Sequence, residues 1–401
     1  MTQSYTHGVN IQTCPCMVGT NIKDTRHYKV RMSSYGIVGI TPDSLKVIRD
    51  MQQFKNVHVC DKSNRRLTPF KNAQKHPTIA DLSLNMSRPR TIATFINPSD
   101  YEHTRTMDQL IEWCDKEDTI VNLNLENYRK SKGYARNCGE KGIHYVTGGL
   151  SDKLLMVDGS RTVIDSQELF FRTFSKTLAH LDGEPGTAQL VKSVHEAAEC
   201  ALYQVFAEVY GYFNQDPEVI RVLNQALKTD VNGPILKNAL RRMYEAPDHD
   251  DIAQENLRST WCSIYALNAG VCVPILQSNA NARSMSRDMK LTGTKQVFNK
   301  FKDELVVIQT IRFMYAMVYL ESTRACSAIR GCIQSSALEC DMFKTENPHE
   351  IIKSTATYAR TFSIHCIHAG IPCPAVQAAL CEYYFWTQTK TSMNFIATLR
   401  V

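Results

Sequence analysis

Between Leu190 and Phe213 the sequence LVKSVHEAAECALYQVFAEVYGYF carries Lys192, His195, Glu196 and Glu199 at i, i+3, i+4 and i+7. On a helix this spacing puts all four on one face. Val191, Val194, Ala198, Ala201 and Val205 form an apolar stripe at the same period, and from Ala197 onward the other faces are mostly apolar too. Such a helix is buried nearly all round. Charges on it are costly unless they are paired or used. The residues alone leave two readings open. One is a half-solvated polar stripe at the helix start. The other is an acid and a base facing one pocket.

The flanking patterns show what would position such a helix. Tyr35–Ile40, Val57–Cys60, Thr91–Ile96, Thr119–Leu123 and Gly142–Gly148 read as short apolar strands. Ser44–Phe54, Thr106–Asp115 and Tyr128–Lys141 between them read as helices. This alternation predicts a parallel sheet with helices on both faces. From about residue 170 only helical periods follow, over 187–213, 217–228, 233–244, 251–268, 272–288, 295–320, 323–341, 349–369 and 373–390. The expected organisation is therefore an irregular extension (1–33), a Rossmann-like α/β domain (34–182) and a large all-α domain (183–401). The turn Gly183-Glu184-Pro185-Gly186 marks the second boundary. No repeat of 20 to 50 residues is evident.

Composition narrows the partners. The net charge of +6, from 46 basic and 40 acidic residues, is mild, and no basic run interleaved with aromatics occurs. Asn64-Arg65-Arg66 and Arg241-Arg242 read as solvated faces, so no nucleic-acid partner is expected. The 14 cysteines are scattered without a CxxC pair. Cys14-Pro15-Cys16 has no second pair at zinc spacing, and Cys366 between His365 and His368 reads as core, so no metal is expected. Asp248-His249-Asp250-Asp251 reads equally as a cation ligand set or a helix start. Free thiols suit a reducing, cytoplasmic setting, and no signal peptide or membrane helix is read.

A dinucleotide needs glycines after the first strand, where backbone N–H groups meet a pyrophosphate at a helix N-terminus. Here Gly36-Ile-Val-Gly39-Ile-Thr-Pro42-Asp43-Ser44 supplies Gly39 at the turn and no glycine after it. Pro42 removes a donor, Asp43 adds a negative charge, and Ser44 is placed to cap the helix.

An ordered series of short segments nevertheless resembles the 6-phosphogluconate dehydrogenase family. It runs through Tyr128-Arg-Lys-Ser131, Lys141-Gly-Ile-His-Tyr-Val146, Gly148-Gly-Leu-Ser151, Leu190-Val-Lys-Ser-Val-His195, Trp261 with Ala266-Leu267 and Gly270, Asn281-Ala-Arg283, Ile329-Arg-Gly-Cys-Ile333, Gly370-Ile-Pro-x-Pro374 and Asn394-Phe-Ile-x-x-x-Arg400. The series spans about 35 to 401. The resemblance implies oxidative decarboxylation of a phosphorylated sugar acid with NADP and without metal. It puts the base at Lys192, the acid at Glu199, substrate contacts at Ser151 and His195, and phosphate-holding arginines at Arg283 and Arg400. Gly39 and Lys62 fall on its cofactor positions, and it implies a homodimer through the all-α domain.

Several positions depart from the family pattern. Glu196 replaces a substrate-contacting asparagine, and Cys200 replaces a tyrosine. Asp152 and Lys153 replace two glycines after Ser151, and Thr260 replaces a lysine. Leu123-Asn-Leu125 removes an asparagine at the nicotinamide end. Lys62 stands for an arginine that grips the extra phosphate of NADP, without its fork geometry. The sequence ends at Val401, ahead of a family histidine and of a tail that threads into the partner, so a weaker dimer is expected. The reading favoured is a pseudoenzyme with a structural or binding role and no cofactor. An active NADP-dependent dehydrogenase with a diverged site is the alternative, and the 1–33 arm is a candidate protein-binding segment.

Overall fold

The computed structural model describes residues 34–388, apart from 52–55, 64–66, 68–69, 71, 97–99, 125, 151–153, 176, 214–217, 246–255, 289–302 and 329–341. The 1–33 arm, Ser151, Asp152, Lys153, Leu125, the 248–251 acidic cluster and Arg400 lie outside the described residues. The chain divides into two compact units, one ending at Ala188 and one beginning at Gln189.

In the first unit eight strands form one sheet: β1 Ser34–Val38, β2 Val57–Cys60, β3 Gln74–His76, β4 Arg90–Thr94, β5 Thr119–Asn122, β6 His144–Leu150, β7 Leu154–Asp158 and β8 Thr177–His180. Their order is β3-β2-β1-β4-β5-β6-β7-β8. The first six run parallel, as the strand–helix alternation predicts. Beyond these, β7 runs antiparallel to β6 with Gly148 opposite Val157, and β8 runs parallel to β7. β3 went unread because Gln74-Lys75-His76 has no apolar alternation; as an edge strand it is held by backbone pairing to β2.

Period-two alternation gives the sheet two cores. Ala93 and Val121 join Ile37, Val59, Phe170 and Phe171 in one cluster. Their neighbours Ile92 and Ile120 join Leu82, Leu110 and Cys138 in the other. The flanking helices are α1 Pro42–Met51, α2 Ile79–Asn85, α3 Asp100–Trp113, α4 Arg129–Glu140, α5 Arg161–Ser166 and α6 Glu168–Arg172. The strand order reverses at β1 and β4. In sheets of this kind, ligands bind beyond the strand carboxyl ends at that reversal.

The second unit is built of helices: α7 Thr187–Tyr212 (which begins two residues ahead of the division), α8 Glu218–Ala226, α9 Pro234–Glu245, α10 Leu257–Asn268, α11 Pro274–Asp288, α12 Glu304–Ala328, α13 Met342–Thr345, α14 Pro348–Ala369 and α15 Pro374–Thr387. The expected break near 321 between two helices is corrected, because α12 runs unbroken through it. Glu321 and Ser322 look like a polar interruption, yet both are buried, and the Glu321 carboxylate accepts from the N–H groups of Ile275 (2.8 Å) and Leu276 (3.0 Å). α12 is also long and apolar enough to span a membrane, but 72% of its most apolar window is buried inside the protein, as in a core helix.

A repeat does exist, at a period of one hundred residues. Gly270 and Gly370 end α10 and α14 with φ of 66° and 65°. Val271 N–H then reaches back to the Ala266 carbonyl, and Ile371 N–H to that of Cys366, each at 2.8 Å. Pro274 and Pro374 open the next helices. Glu208 on α7 accepts from Ala375 and Val376 N–H groups at 2.8 and 3.2 Å, as Glu321 does one half away. Each half thus uses a buried carboxylate to satisfy the free donors of a proline-initiated helix.

Candidate functional site

The turn after β1 shows why Gly39 is a glycine. Its φ is +90°, and a Cβ there would stand 2.1 Å from the Phe95 carbonyl oxygen beyond β4. The same turn consumes its own donors. Gly39 N–H donates to the Cys60 carbonyl at 2.9 Å. Ile40 N–H donates to Asp61 Oδ2 at 2.9 Å, and Thr41 N–H to Ser44 Oγ at 2.8 Å. Ser44 N–H donates to Thr41 Oγ1 at 3.3 Å, while its hydroxyl donates to the Gly39 carbonyl at 3.0 Å. Pro42 has no N–H to offer. Asp61, buried at the end of β2, also accepts from Ser63 N–H at 2.8 Å. A pyrophosphate needs such donors free and no carboxylate among them. This turn does not fit that group. Lys62, the other cofactor candidate, is exposed beside Asp61.

The segment after β5 is likewise closed on itself. Asn122 Nδ2 donates to the Glu126 carboxylate and to the Tyr145 hydroxyl, the latter at 2.8 Å. His103 Nδ1 lies 3.0 Å from Glu126 Oε2, and Ser131 Oγ donates to Oε1 at 3.4 Å. Asn122, His103, Glu126 and Ser131 are all buried. Burial first, and the Glu126 charge second, hold the Tyr145 phenol well above its ordinary pKa, so it stays protonated.

In the second unit, α7 presents the predicted stripe. Lys192 and His195 are buried, while Glu196 and Glu199 are half-buried. Two of its charges are paired. Lys192 Nζ lies 3.4 Å from Glu196 Oε1. The same oxygen accepts from Nη1 of Arg258, in the first turn of α10. Lys192 and Glu199 are seven residues apart, about 10 Å along the axis. One turn beyond Glu196, Asn256 Nδ2 reaches Cys200 Sγ at 3.2 Å, and Asn256 Oδ1 caps α10 by accepting from Ser259 N–H at 2.9 Å. Burial raises the Cys200 thiol pKa; Arg283 is the strongest counter-influence, and Glu196 and Glu199 add to the rise. Arg283 itself, half-buried on α11, donates from Nε to Asn279 Oδ1 at 3.3 Å. Burial pushes the thiols of Cys60, Cys114, Cys138 and Cys262 up to about 12, which makes them inert. Among the described residues no cluster of three or more His, Cys, Asp or Glu could hold a metal ion.

No protein-family model matches this sequence, and no curated protein matches it either. Solved structures do. The Plasmodium falciparum 6-phosphogluconate dehydrogenase, solved in its apo form and with NADP+ and 6-phosphogluconate, superposes with a TM-score of 0.75 over 92% of this chain and 95% of its own, at 16% identity. The chain has the 6-phosphogluconate dehydrogenase fold. A smaller fold relative is the 3-hydroxyisobutyrate dehydrogenase of Salmonella typhimurium, with TM-score 0.54, 11% identity, and coverage of 69% of this chain and 99% of its own. The Mycobacterium tuberculosis 3-hydroxyisobutyrate dehydrogenase, with L-serine, gives TM-score 0.50, 10% identity, and coverage of 70% and 99%.

Within the 6-phosphogluconate dehydrogenase fold, Lys192, His195 and Glu199 share α7, and Arg283 comes within electrostatic reach of Cys200 on that helix. Gly39 and Lys62 belong to the first unit. Sequence reasoning missed Arg258, Asn256 and Asp61. A signal for Arg258 existed, since a carboxylate at Glu196 on a buried helix requires a cation. Asp61 stands where sheets of this type place the acid after the second strand.

Proposed function

We propose that this chain is a pseudoenzyme: it keeps the 6-phosphogluconate dehydrogenase fold for a structural or binding role and does not carry out hydride transfer. The turn at residues 39–44 supports this most directly, because the donors of Gly39, Ile40, Thr41 and Ser44 are each engaged within the chain. Glu196 adds to it by bringing a carboxylate to Lys192, the position of the family's base. The test is titration of the purified chain with NADP and NAD to millimolar concentration, followed by thermal shift and fluorescence. No saturable response is expected. A saturable shift, or reduction of NADP in the presence of 6-phosphogluconate, overturns the reading.

A second reading is an active NADP-dependent 6-phosphogluconate or related hydroxyacid dehydrogenase with a diverged site. The observation in its favour is that Lys192, buried, and Glu199 remain on one helix. If an activity is found, Lys192→Ala and Glu199→Ala each abolish it; activity surviving both changes refutes the assignment of these residues.

The proposed assembly is a homodimer through the helical unit. Six of the nine exposed large apolar residues described there recur at the repeat period: Ile264 with Ile364, Leu267 with Ile367, and Met285 with Phe385. Leu267 and Ile367 are 65% and 60% exposed, so both halves present the same uncovered face. Light scattering that gives a monomer refutes the dimer. The 1–33 arm is proposed as a protein-binding segment; unchanged partner capture after its removal would refute that.

A further inference from the structure

Two cations converge on one carboxylate oxygen in the helical unit. Glu196 Oε1 is 3.4 Å from Lys192 Nζ and also accepts from Arg258 Nη1. The cations are the more deeply buried members, with side chains 9% and 14% exposed against 26% for Glu196. The carboxylate therefore sits on the solvent side of two desolvated positive charges. Arg258 also lies in the first turn of α10, where the helix dipole favours an anion. Without Glu196, Lys192 and Arg258 would face each other as buried charges of the same sign, a costly arrangement that an anion from solution relieves.

We propose that Glu196 is a tethered competitor on a latent anion site formed by Lys192 and Arg258, and that this site takes a small organic carboxylate when Glu196 is removed or displaced. The planar guanidinium of Arg258 suits a carboxylate, and Lys192 supplies a point charge to the same oxygen. An attached carboxylate competes at a high effective concentration, so the intact chain binds a free one weakly. The inference rests on the stripe being closed from within, but not on the absence of catalysis. Nucleotide binding by the intact chain would overturn the pseudoenzyme reading and leave this proposal standing.

The experiment is titration of the full chain with sodium acetate at constant ionic strength, read by calorimetry and thermal shift. Glu196→Ala is expected to bind acetate at least about tenfold more tightly than the unaltered chain, reflecting the lost competitor. Adding Arg258→Ala to it is expected to remove the response. Equal acetate responses in the unaltered chain and Glu196→Ala overturn the proposal, as does a response that survives in the double variant. If Glu196→Ala does not fold, Glu196→Gln keeps the side-chain volume and removes the charge. Acetate must then stabilise Glu196→Gln more than the unaltered chain, and an equal response again overturns the proposal. Inorganic phosphate provides a tetrahedral control, and tighter phosphate than acetate binding by Glu196→Ala overturns the carboxylate assignment.

Discussion

The turn after β1 and the stripe on α7 are both satisfied from within, but by different means. At the turn, backbone donors are locked into hydrogen bonds with Cys60, Asp61, Ser44 and Thr41. On α7, the side chain of Glu196 lies against two cations. At the turn the closed groups are main-chain donors, so removing an acceptor such as Asp61 leaves a backbone N–H unpaired and costs stability. On α7 the closed groups are side-chain cations, and removing Glu196 leaves every backbone hydrogen bond of the helix in place. On the proposed reading, the first region is closed to a ligand more deeply than the second.

The largest effect is expected at the turn. Asp61→Ala leaves the N–H groups of Ile40 and Ser63 without their acceptor, and should lower unfolding stability by about 2–4 kcal/mol. Chemical denaturation measures it; a loss below about 0.5 kcal/mol would show that the closure is not part of the fold, and the contrast would collapse.

A control of similar size sits farther along α7. Burial raises the Glu208 carboxyl from 4.5 to about 7 despite its backbone donors. The folded state then holds this proton more tightly than the unfolded chain does. Its stabilising share is complete below pH about 4.5 and is lost as pH rises through about 7, by at most about 3 kcal/mol. Glu208→Gln should flatten that dependence in the helical unit. Asp158, pushed up by burial to about 6, contributes in the same sense in the first unit, where His58, lowered mainly by burial to about 4, contributes in the opposite sense. Unfolding curves of the unaltered chain and of Glu208→Gln between pH 5 and 8 check the Glu208 sign: the stability of the unaltered chain relative to the variant should fall as pH rises, and a difference that grows with pH would contradict it.

Smaller effects belong to the stripe. Arg258→Ala removes one of two cations from a carboxylate that is still partly solvated, and should cost about 1–2 kcal/mol. Glu196→Ala should cost less than Asp61→Ala, within about 1 kcal/mol once acetate is present. If Glu196→Ala proves as damaging as Asp61→Ala, the two closures are of one kind.

Much of the fold was legible because strand and helix periods are strong where one face is buried. Val57–Cys60 and the long α7 were read almost to the residue. What escaped was set by partners distant in sequence. β3 exists through its pairing to β2, and the unbroken course of α12 depends on Glu321 meeting the start of α11. The helical duplication recurs at about one hundred residues, longer than the 20 to 50 residues of common repeat units. At the candidate site, residue types and helical spacing were enough to single out Lys192, His195 and Glu199. Arg258 was not legible, since it is 62 residues from Glu196 and only tertiary packing brings them together. Asp61 was hidden for a related reason: its role is to accept from a backbone N–H 21 residues earlier.

The central claim is that the turn at 39–44 has no place for a dinucleotide phosphate. Calorimetric titration of the full chain with NADP, and separately with NAD, tests it most directly. The account predicts no saturable heat up to millimolar nucleotide. A saturable isotherm with either nucleotide, weakened or abolished by a bulky residue in place of Gly39 in a variant that still folds, would contradict it.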